Sequence, residues 1–208
     1  YLQRALGYAL SGDTTLECLF ILYGATSRNG KGTTMETFLK IMGDYGKTSN
    51  PEMLSTKFGN TNASGPSEEI ARLAGIRFVN ISEPEKKITF NAALVKRLTG
   101  NDTINARYLH ENSFDFKPVF KIFINTNYLP NVSDMTLFDS GRLKIIPFKR
   151  HFKEAEQDKG LKALFAEEDN LSGIFNWCLE GYKAFRRERL ESPKAVIDAI
   201  QEYRNDSD

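Results

Sequence analysis

The chain has 208 residues, of which 40% are hydrophobic and 26% are charged, as in an ordinary soluble globular protein. The formal net charge is +1, so no overall basic field indicates a nucleic-acid partner, and any such contact must be local. Two distant cysteines and two histidines argue against a disulfide framework or a zinc site, and no apolar run of about 18 residues predicts a membrane span.

The first part of the chain has the pattern of a phosphate-binding loop. Tyr1–Leu10 is predicted to be a helix, and the apolar run Leu19–Tyr23 predicts a buried parallel strand. The sequence GATSRNGKGTT follows at residues 24–34, and apolar residues at helical spacing continue to Met42. A strand, a glycine-rich loop and a helix in this order are what a P-loop requires.

Such a loop binds phosphate because backbone N–H groups and a helix N-terminus present positive potential, to which a lysine adds a full charge. The motif starts at Ala25, where glycine is usual, and Gly32 replaces the hydroxyl expected to touch magnesium, with Thr33 one position late. We expect the nucleotide to be bound by Ala25, Arg28, Asn29, Gly30, Lys31, Gly32 and Thr33.

The loop alone leaves alternatives open. A glycine-rich turn with a solvent-facing lysine has the same composition, and the run Gly-Lys-Gly-Thr also occurs in nucleoside monophosphate kinases. Such kinases usually begin almost at the loop and carry an arginine-rich lid, whereas this chain has a preceding helix and no arginine cluster of that kind. A nucleotide-binding assembly module without unwinding activity is the third alternative.

The rest of the chain alternates between strand and helix patterns. Strands are predicted at Arg77–Ser82, Lys121–Thr126 and Arg142–Phe148. Helices are predicted at Glu68–Leu73 and at Asn91–Leu98, and the pattern is helical from Lys153 onward. Within that C-terminal part a separate helix is predicted to begin with Ser192 as N-cap and Pro193 as first residue. A hairpin is predicted from Thr103–Leu109 and Ser113–Phe116, and a polar loop at Asn60–Ser67. This alternation predicts an α/β fold with a mainly parallel sheet flanked by helices, an inserted β-hairpin and a helical C-terminal tail.

Polar residues stand at the ends of the predicted strands. Glu83, after the second strand, could orient an attacking or magnesium-bound water, and Asn127, after the third, could hold that water or sense a γ-phosphate. Arg142 stands at the start of the last strand. Simpler interpretations are a surface glutamate before Pro84, an asparagine turn cap, and an arginine paired with an acid such as Asp139.

Six blocks in fixed order resemble the superfamily 3 helicases, specifically the helicase domain of phage and plasmid primase–helicases of the poxvirus and satellite-phage type. They are LGYALSGD, RNGKGT, EIARLAGIRFVNISEPEK, ALVKRLTGNDTINARYLHENSFDFKP, KIFINTN followed by LP, and GRLKIIPF. The resemblance implies an AAA+-like P-loop ATPase that uses ATP and Mg²⁺ to unwind DNA as a homo-oligomeric ring, expected to be a hexamer. It gives Lys31 the phosphate role, Glu83 the hydrolytic role, Asn127 the sensor role and Arg142 the arginine-finger role.

The resemblance also suggests groups for the metal ion. Magnesium would be held near Glu83 and Thr33. Many family members end the second motif with two acidic residues, whereas Ser82 precedes Glu83 here, so Glu85 or a water would complete the site.

In the family, a hairpin between the acidic motif and the sensor strand grips single-stranded DNA. The corresponding segment contains the candidate contacts Lys96, Arg107 and His110, together with the aromatic Tyr108 and Phe114. Basic groups beside aromatic rings are typical of sequence-tolerant strand binding, although scattered charges on a hairpin are more often solvated surface.

The expected domain organisation is an ATPase core at 1–152, into which a helix at 1–10 leads, and a helical segment at 153–208. The chain opens without Met in a helical pattern, so we expect a fragment of a longer primase–helicase. The protein is expected in the cytoplasm of a bacterial host or a virus-infected cell, without membrane association. Its expected partners are single-stranded DNA and other replication proteins.

Overall fold

The computed structural model describes residues 1–56, 68–82 and 88–207. The helices are Leu2–Leu10 (α1), Lys31–Met42 (α2), Glu68–Ala71 (α3), Ala92–Thr99 (α4), Thr136–Asp139 (α5), Leu161–Leu164 (α6), Glu168–Glu188 (α7) and Lys194–Asn205 (α8). The strands are Leu19–Tyr23 (β1), Gly46–Ser49 (β2), Phe78–Ile81 (β3), Ile104–Ala106 (β4), Phe114–Phe116 (β5), Lys121–Thr126 (β6) and Leu143–Pro147 (β7). The predicted loop at Asn60–Ser67 and the predicted acid Glu83 lie outside the described residues.

The central sheet has five strands in the order β2-β3-β6-β1-β7, and every neighbouring pair is parallel. This confirms the predicted α/β fold. Because the strands are parallel, their carboxyl ends meet at one edge, where open α/β sheets place their ligands. The loop after β1, Ser82 after β3 and the residues that follow β6 therefore share that edge.

Alternating side chains of the strands divide the core between the two faces of the sheet. On the face covered by α1, α2 and α7, Phe123 packs between Phe20 and Phe78, with ring centroids 4.5 and 5.2 Å away. On the other face the strands present aliphatic side chains such as Ile21 and Ile124, and α8 packs there beside β7. The aromatic layer thus fixes α2, and with it the loop that precedes α2, against the sheet.

Edge strand β2 was not predicted. Its sequence, GKTS, contains no apolar run, and among the described residues its ladder partner is β3 alone. A Cβ added at Gly46 would lie 2.9 Å from both the Leu39 and Met42 side chains, so this position needs glycine for close approach to α2. The strand forms because it pairs with the edge of β3, and a local hydrophobicity pattern cannot predict such pairing.

The antiparallel pair β4–β5 confirms the predicted hairpin. Its aromatic residues serve the core: Tyr108 and Phe114 stack with centroids 5.9 Å apart, and the Tyr108 hydroxyl donates to the Ala71 carbonyl at 3.2 Å. Their rings are therefore packed against the protein rather than presented to solvent as stacking platforms. The hairpin is anchored by its base, and His110 near its turn is exposed with φ +62°.

The C-terminal helix α8 begins one residue later than predicted, with Pro193 as its N-cap and Lys194 as its first residue. Tyr203 fixes the helix to the sheet edge, because its hydroxyl donates to the Pro130 carbonyl at 2.5 Å and its ring meets Phe138 edge-on at 5.1 Å. No helix in the described part of the chain is long and apolar enough to cross a membrane.

Lys121 is a buried cation at the amino end of β6. Its ammonium group donates to the carbonyls of Ser11, Asp13 and Val119 and lies 5.0 Å from the Tyr8 ring centroid. Burial lowers the pKa of Lys121 to about 7, against the opposing effect of the Asp13 carboxylate. No sequence pattern distinguishes this lysine, but its burial costs free energy because its charged form loses its hydration.

This burial predicts a pH-dependent stability. Between about pH 7 and 10, the unfolded chain holds a proton on Lys121 that the folded chain has released, so the free energy of unfolding should rise with pH. We expect a rise of up to about 1.4 kcal/mol per pH unit between pH 7 and 8 in urea titrations, below the range where thiols ionise. Lys121→Met should abolish the rise, whereas Lys40→Met, at an exposed lysine of α2, should keep it. Equal pH profiles for the two variants would contradict a lowered pKa of Lys121.

Candidate functional site

The loop between β1 and α2 has a compact backbone conformation. Gly30 caps α2 in the left-handed region with φ +88°, and Arg28 has φ +56°, which is uncommon for a residue with a side chain. A Cβ added at Gly24 would lie 2.3 Å from Asn29 Nδ2 and 2.5 Å from the Phe148 carbonyl. Gly24 is thus the glycine that the geometry requires at the start of the loop, whereas the neighbouring Ala25 is exposed.

Segment 148–152, which follows β7, holds the outer side of this loop. The Phe152 N–H donates to the Arg28 carbonyl at 2.9 Å, and His151 Nδ1 lies 2.9 Å from the Ser27 carbonyl. The buried Asn29 donates its amide to the Thr26 carbonyl at 2.6 Å from inside the loop. These contacts hold the loop in one shape, and a fixed arrangement of backbone N–H groups is what anion binding needs.

The structure brings Lys31 and Asn127 together. Lys31 is the first residue of α2, is 4% exposed, and donates to Asn127 Oδ1 at 2.7 Å. The ammonium group also reaches Asn29 Oδ1 at 3.1 Å and the Gly24 carbonyl at 3.3 Å. Residues almost one hundred positions apart therefore converge on one cation at the carboxyl edge of the sheet, between the ends of β1 and β6.

Two asparagines and a serine near the carboxyl ends of β3 and β6 were not predicted as site residues. Asn80 on β3 is buried, donates to Ser82 Oγ at 3.4 Å, and its Oδ1 accepts no hydrogen bond from the described residues. Asn125 on β6 faces α2, with its Nδ2 3.9 Å from the position of a Cβ at Gly32. Asparagines inside the apolar runs FVNI and KIFINT were the available signal.

These groups fit a nucleotide-bound Mg²⁺, which keeps several waters and uses few protein ligands beyond the phosphates. Hydroxyls and amide oxygens can order such waters, and the unsatisfied Asn80 Oδ1 is an acceptor for one. Thr33 is half-buried in the first turn of α2. Within residues 1–56, 68–82 and 88–207 no three His, Cys, Asp or Glu side chains form a metal cluster, so a metal held by protein groups alone finds no support there.

A serine at position 32, where a P-loop usually has a hydroxyl, should strengthen the binding of Mg²⁺ together with the nucleotide. A Cβ there would make only ordinary contacts, 3.8 Å from Glu36 Oε1 and 3.9 Å from Asn125 Nδ2. We expect Gly32→Ser to lower the Mg²⁺ concentration needed for half-maximal nucleotide binding several-fold, because a hydroxyl can replace one metal-bound water. Gly32→Ala is the matched control, and an equal effect of both substitutions in a fluorescence titration would contradict this prediction.

The predicted DNA contacts lie in different environments. Lys96 in the last turn of α4 pairs with Asp134 at 2.9 Å, and hydrogen bonds from Thr136 and Lys96 lower the pKa of Asp134 to about 2. Arg107 is half-buried beside the hairpin, and His110 is exposed near its turn. The structure thus leaves His110 accessible and engages Lys96 in an intramolecular pair.

Arg142 lies at the opposite edge of the sheet from the loop, at the amino end of β7. Its guanidinium pairs with Glu17 Oε2 at 2.9 Å and donates to Thr99 Oγ1 at 2.8 Å. Asp139, suggested as the intramolecular partner, instead pairs with Arg204 at 2.6 Å. Arg142 therefore cannot reach a nucleotide on its own loop, because the length of β1 and β7 separates them.

Comparison with known proteins gives relatives and a shared fold. No protein-family model matches the chain. It is 31% identical over 223 residues to a protein named "putative helicase" from Acanthamoeba polyphaga mimivirus, and 27% identical over 224 residues to one from Frog virus 3 (isolate Goorha). Each match covers 100% of this chain but 23% of the relative, so the chain spans about a quarter of their length.

Among solved structures, the C-terminal region of NrS-1 has a similar fold, with a TM-score of 0.61 at 17% identity. That match covers 91% of this chain and 43% of the other. A second structure of the same region, spanning 305–718, gives a TM-score of 0.57 at 15% identity. Along its full length the chain is thus similar to viral proteins named as putative helicases, and it shares the fold of the NrS-1 C-terminal region.

Proposed function

We propose that the chain is the ATP-hydrolysing core of a DNA helicase that moves along single-stranded DNA as a homo-oligomeric ring, a hexamer by analogy with the family. The observation that carries the proposal is the contact of Lys31 Nζ with Asn127 Oδ1 beneath a preorganised glycine-rich loop. Viral relatives named as helicases support the same function.

In this proposal the chain's own groups position the nucleotide. The N–H groups at the start of α2 hold the phosphates, and Lys31 exchanges its contact with Asn127 for the β- and γ-phosphate oxygens. Asn127 would hold the attacking water, and Glu83 would accept its proton. Thr33, Ser82 and Glu83 would hold Mg²⁺ through its waters, and the ion would supply charge neutralisation for the phosphates.

The DNA side of the proposal rests on the hairpin. His110 and the neighbouring Leu109 are exposed near its turn, and Arg107 lies at the end of β4. Copies of the hairpin around a ring would focus these groups in one channel, so a net charge of +1 does not oppose binding. Lys96 would contribute after leaving Asp134.

The biological setting belongs to the same proposal. We place the protein in replication, in the cytoplasm of an infected cell, with other replication proteins as partners, and the viral origin of its relatives supports this. Residues 1–152 would form the ATPase core and 153–208 a helical segment that packs against it, since α7 lies along α1 and α8 along β7.

The test is ATP-dependent strand displacement on a forked DNA, measured together with ATP binding. Lys31→Ala should abolish displacement and hydrolysis and weaken ATP binding, because the phosphates lose their fixed charge. Lys40→Ala removes an exposed lysine from the same helix and should change none of the three. Hydrolysis by Lys31→Ala at the wild-type rate would refute the assignment of this loop.

A further inference from the structure

The backbone carbonyls of the loop between β1 and α2 point in two directions. The Thr26 carbonyl faces the interior of the loop, where it accepts a hydrogen bond from the buried Asn29 side chain at 2.6 Å. The carbonyls of Ser27 and Arg28 face the outside, where segment 148–152 contacts both of them. The peptide groups of the loop therefore change direction after residue 26.

The outward direction of these two carbonyls determines where two N–H groups point. In a planar trans peptide the C=O and N–H bonds point in opposite directions, and the described residues contain no cis peptide bond. The N–H groups of Arg28 and Asn29 are therefore turned inward. Neither of them has an acceptor among the described residues, so both can donate to a phosphate.

The backbone of Arg28 needs support to hold this arrangement. Its φ of +56° lies in the left-handed region, which is uncommon and costly for a residue with a side chain. His151 Nδ1 lies 2.9 Å from the Ser27 carbonyl, and the Phe152 N–H donates to the Arg28 carbonyl at 2.9 Å. The two peptide groups joined at the Arg28 Cα are thus both held from outside the loop.

Segment 148–152 is itself fixed at both ends, so it can act as a support. At one end the Phe148 N–H donates to the Tyr23 carbonyl at 2.6 Å and continues the pairing of β7 with β1. At the other end the Phe152 carbonyl accepts from Gln157 Nε2 at 2.8 Å. The position of the segment therefore does not depend on the loop alone.

His151 provides the side-chain part of this support. A carbonyl oxygen only accepts hydrogen bonds, so the contact with Ser27 requires a proton on Nδ1 of the ring. The Phe152 contact uses a backbone N–H, which every residue except proline would supply. The direction of the peptide between Ser27 and Arg28 therefore depends on the identity of residue 151.

We propose that His151 is a positioning residue for phosphate binding: its Nδ1–H holds the Ser27 carbonyl outward, so that the Arg28 N–H faces the phosphates. The Phe152 N–H does the same for the Asn29 N–H. The inference rests on the proposed function and adds a residue outside the loop motif, 124 positions from Ser27 in the chain. His151 acts through the loop backbone and needs no contact of its own with a phosphate.

Replacing His151 with phenylalanine keeps a ring but removes the donor. We expect His151→Phe to bind ATP and inorganic tripolyphosphate roughly three- to tenfold more weakly in calorimetric titrations, the effect of losing one hydrogen bond. KM for ATP should rise by a similar factor while kcat is retained, because the ground state and the transition state lose the same contact. Since His151 is exposed, the thermal midpoint of the ligand-free protein should stay near that of wild type.

Two amide substitutions at the same position are the matched controls. Asparagine places its amide nitrogen where Nδ1 lies, whereas glutamine places its amide nitrogen near the position of Nε2. His151→Asn should therefore restore both affinities to within about twofold of wild type, and His151→Gln should not. Both amides are uncharged, so rescue by asparagine alone would separate the donated hydrogen bond from any effect of a histidine charge.

Three results would overturn the inference. They are equal affinities of wild type and His151→Phe, a loss that asparagine restores no better than glutamine, and a loss confined to ATP, because the N–H groups of the loop face the phosphates. A wild type that binds neither ATP nor tripolyphosphate would instead refute the proposed function, and the inference with it.

Discussion

Replacing Arg142 with alanine should lower the ATPase rate by about 10³–10⁵, the effect of an arginine finger supplied by another subunit. The guanidinium lies at the sheet edge opposite its own loop, so it can neutralise γ-phosphate charge only on a neighbouring subunit. An equimolar mixture of Arg142→Ala and Lys31→Ala should therefore recover part of the activity, since one supplies a sound loop and the other the arginine. The wild-type rate per subunit should also rise with protein concentration.

The Glu17 ion pair supplies the matched control. Glu17→Gln removes the carboxylate that holds Arg142 within its own subunit but keeps the guanidinium, so it should retain ATPase activity. Arg142→Lys should rescue poorly because an ammonium group cannot make the forked contact. Equal losses in Glu17→Gln and Arg142→Ala, or no recovery in mixtures shown by size-exclusion chromatography to co-assemble, would mean that Arg142 only holds the strand end in place.

Substituting Gly181 with alanine should destabilise the fold by about 3 kcal/mol or more, at the upper end of the cost of overpacking. A Cβ at Gly181 of α7 would lie 2.1 Å from the Gln3 carbonyl oxygen, and one at Gly7 of α1 would lie 2.2 Å from the Tyr182 nitrogen. The two helices touch backbone to backbone, so no side-chain rotation can relieve the clash and the helices must separate. Urea denaturation measures the loss.

Gly173 is the internal control for this prediction, because it lies on the same helix with nothing within 4 Å of an added Cβ. Gly173→Ala should stabilise the protein by up to about 1 kcal/mol through helix propensity alone. Opposite signs for the two substitutions would locate the effect in the α1–α7 contact. A mild effect of Gly181→Ala would contradict the close crossing of these helices.

Local patterns predicted most of the fold, and long-range pairing explains what they missed. Leu19–Tyr23 and Lys121–Thr126 were predicted as strands because their apolar runs record burial on both faces. Edge strand β2 depends on a neighbour supplied by β3, and the burial of Lys121 depends on carbonyl groups contributed by the α1–β1 connection, so neither leaves a local signal.

The site shows the same division. The loop motif predicted Lys31, and the strand-end position predicted Asn127, but their 2.7 Å contact is a product of the strand order. Asn80 was overlooked because a single amide inside an apolar strand resembles a tolerated polar residue until its burial and its unsatisfied oxygen are seen. Asp139 was named only as an example in the alternative in which Arg142 pairs with an acid; the acid that Arg142 contacts is Glu17, because the nearest acid in sequence is not the nearest acid in space.

The most direct test of the central claim is the steady-state ATPase rate of the chain with and without single-stranded DNA. We expect the rate to rise several-fold at saturating DNA, to fall as salt screens the phosphate contacts, and to vanish in Lys31→Ala. A DNA-independent rate, accompanied by phosphoryl transfer from ATP to a nucleoside monophosphate, would contradict the helicase assignment and favour a small-molecule kinase.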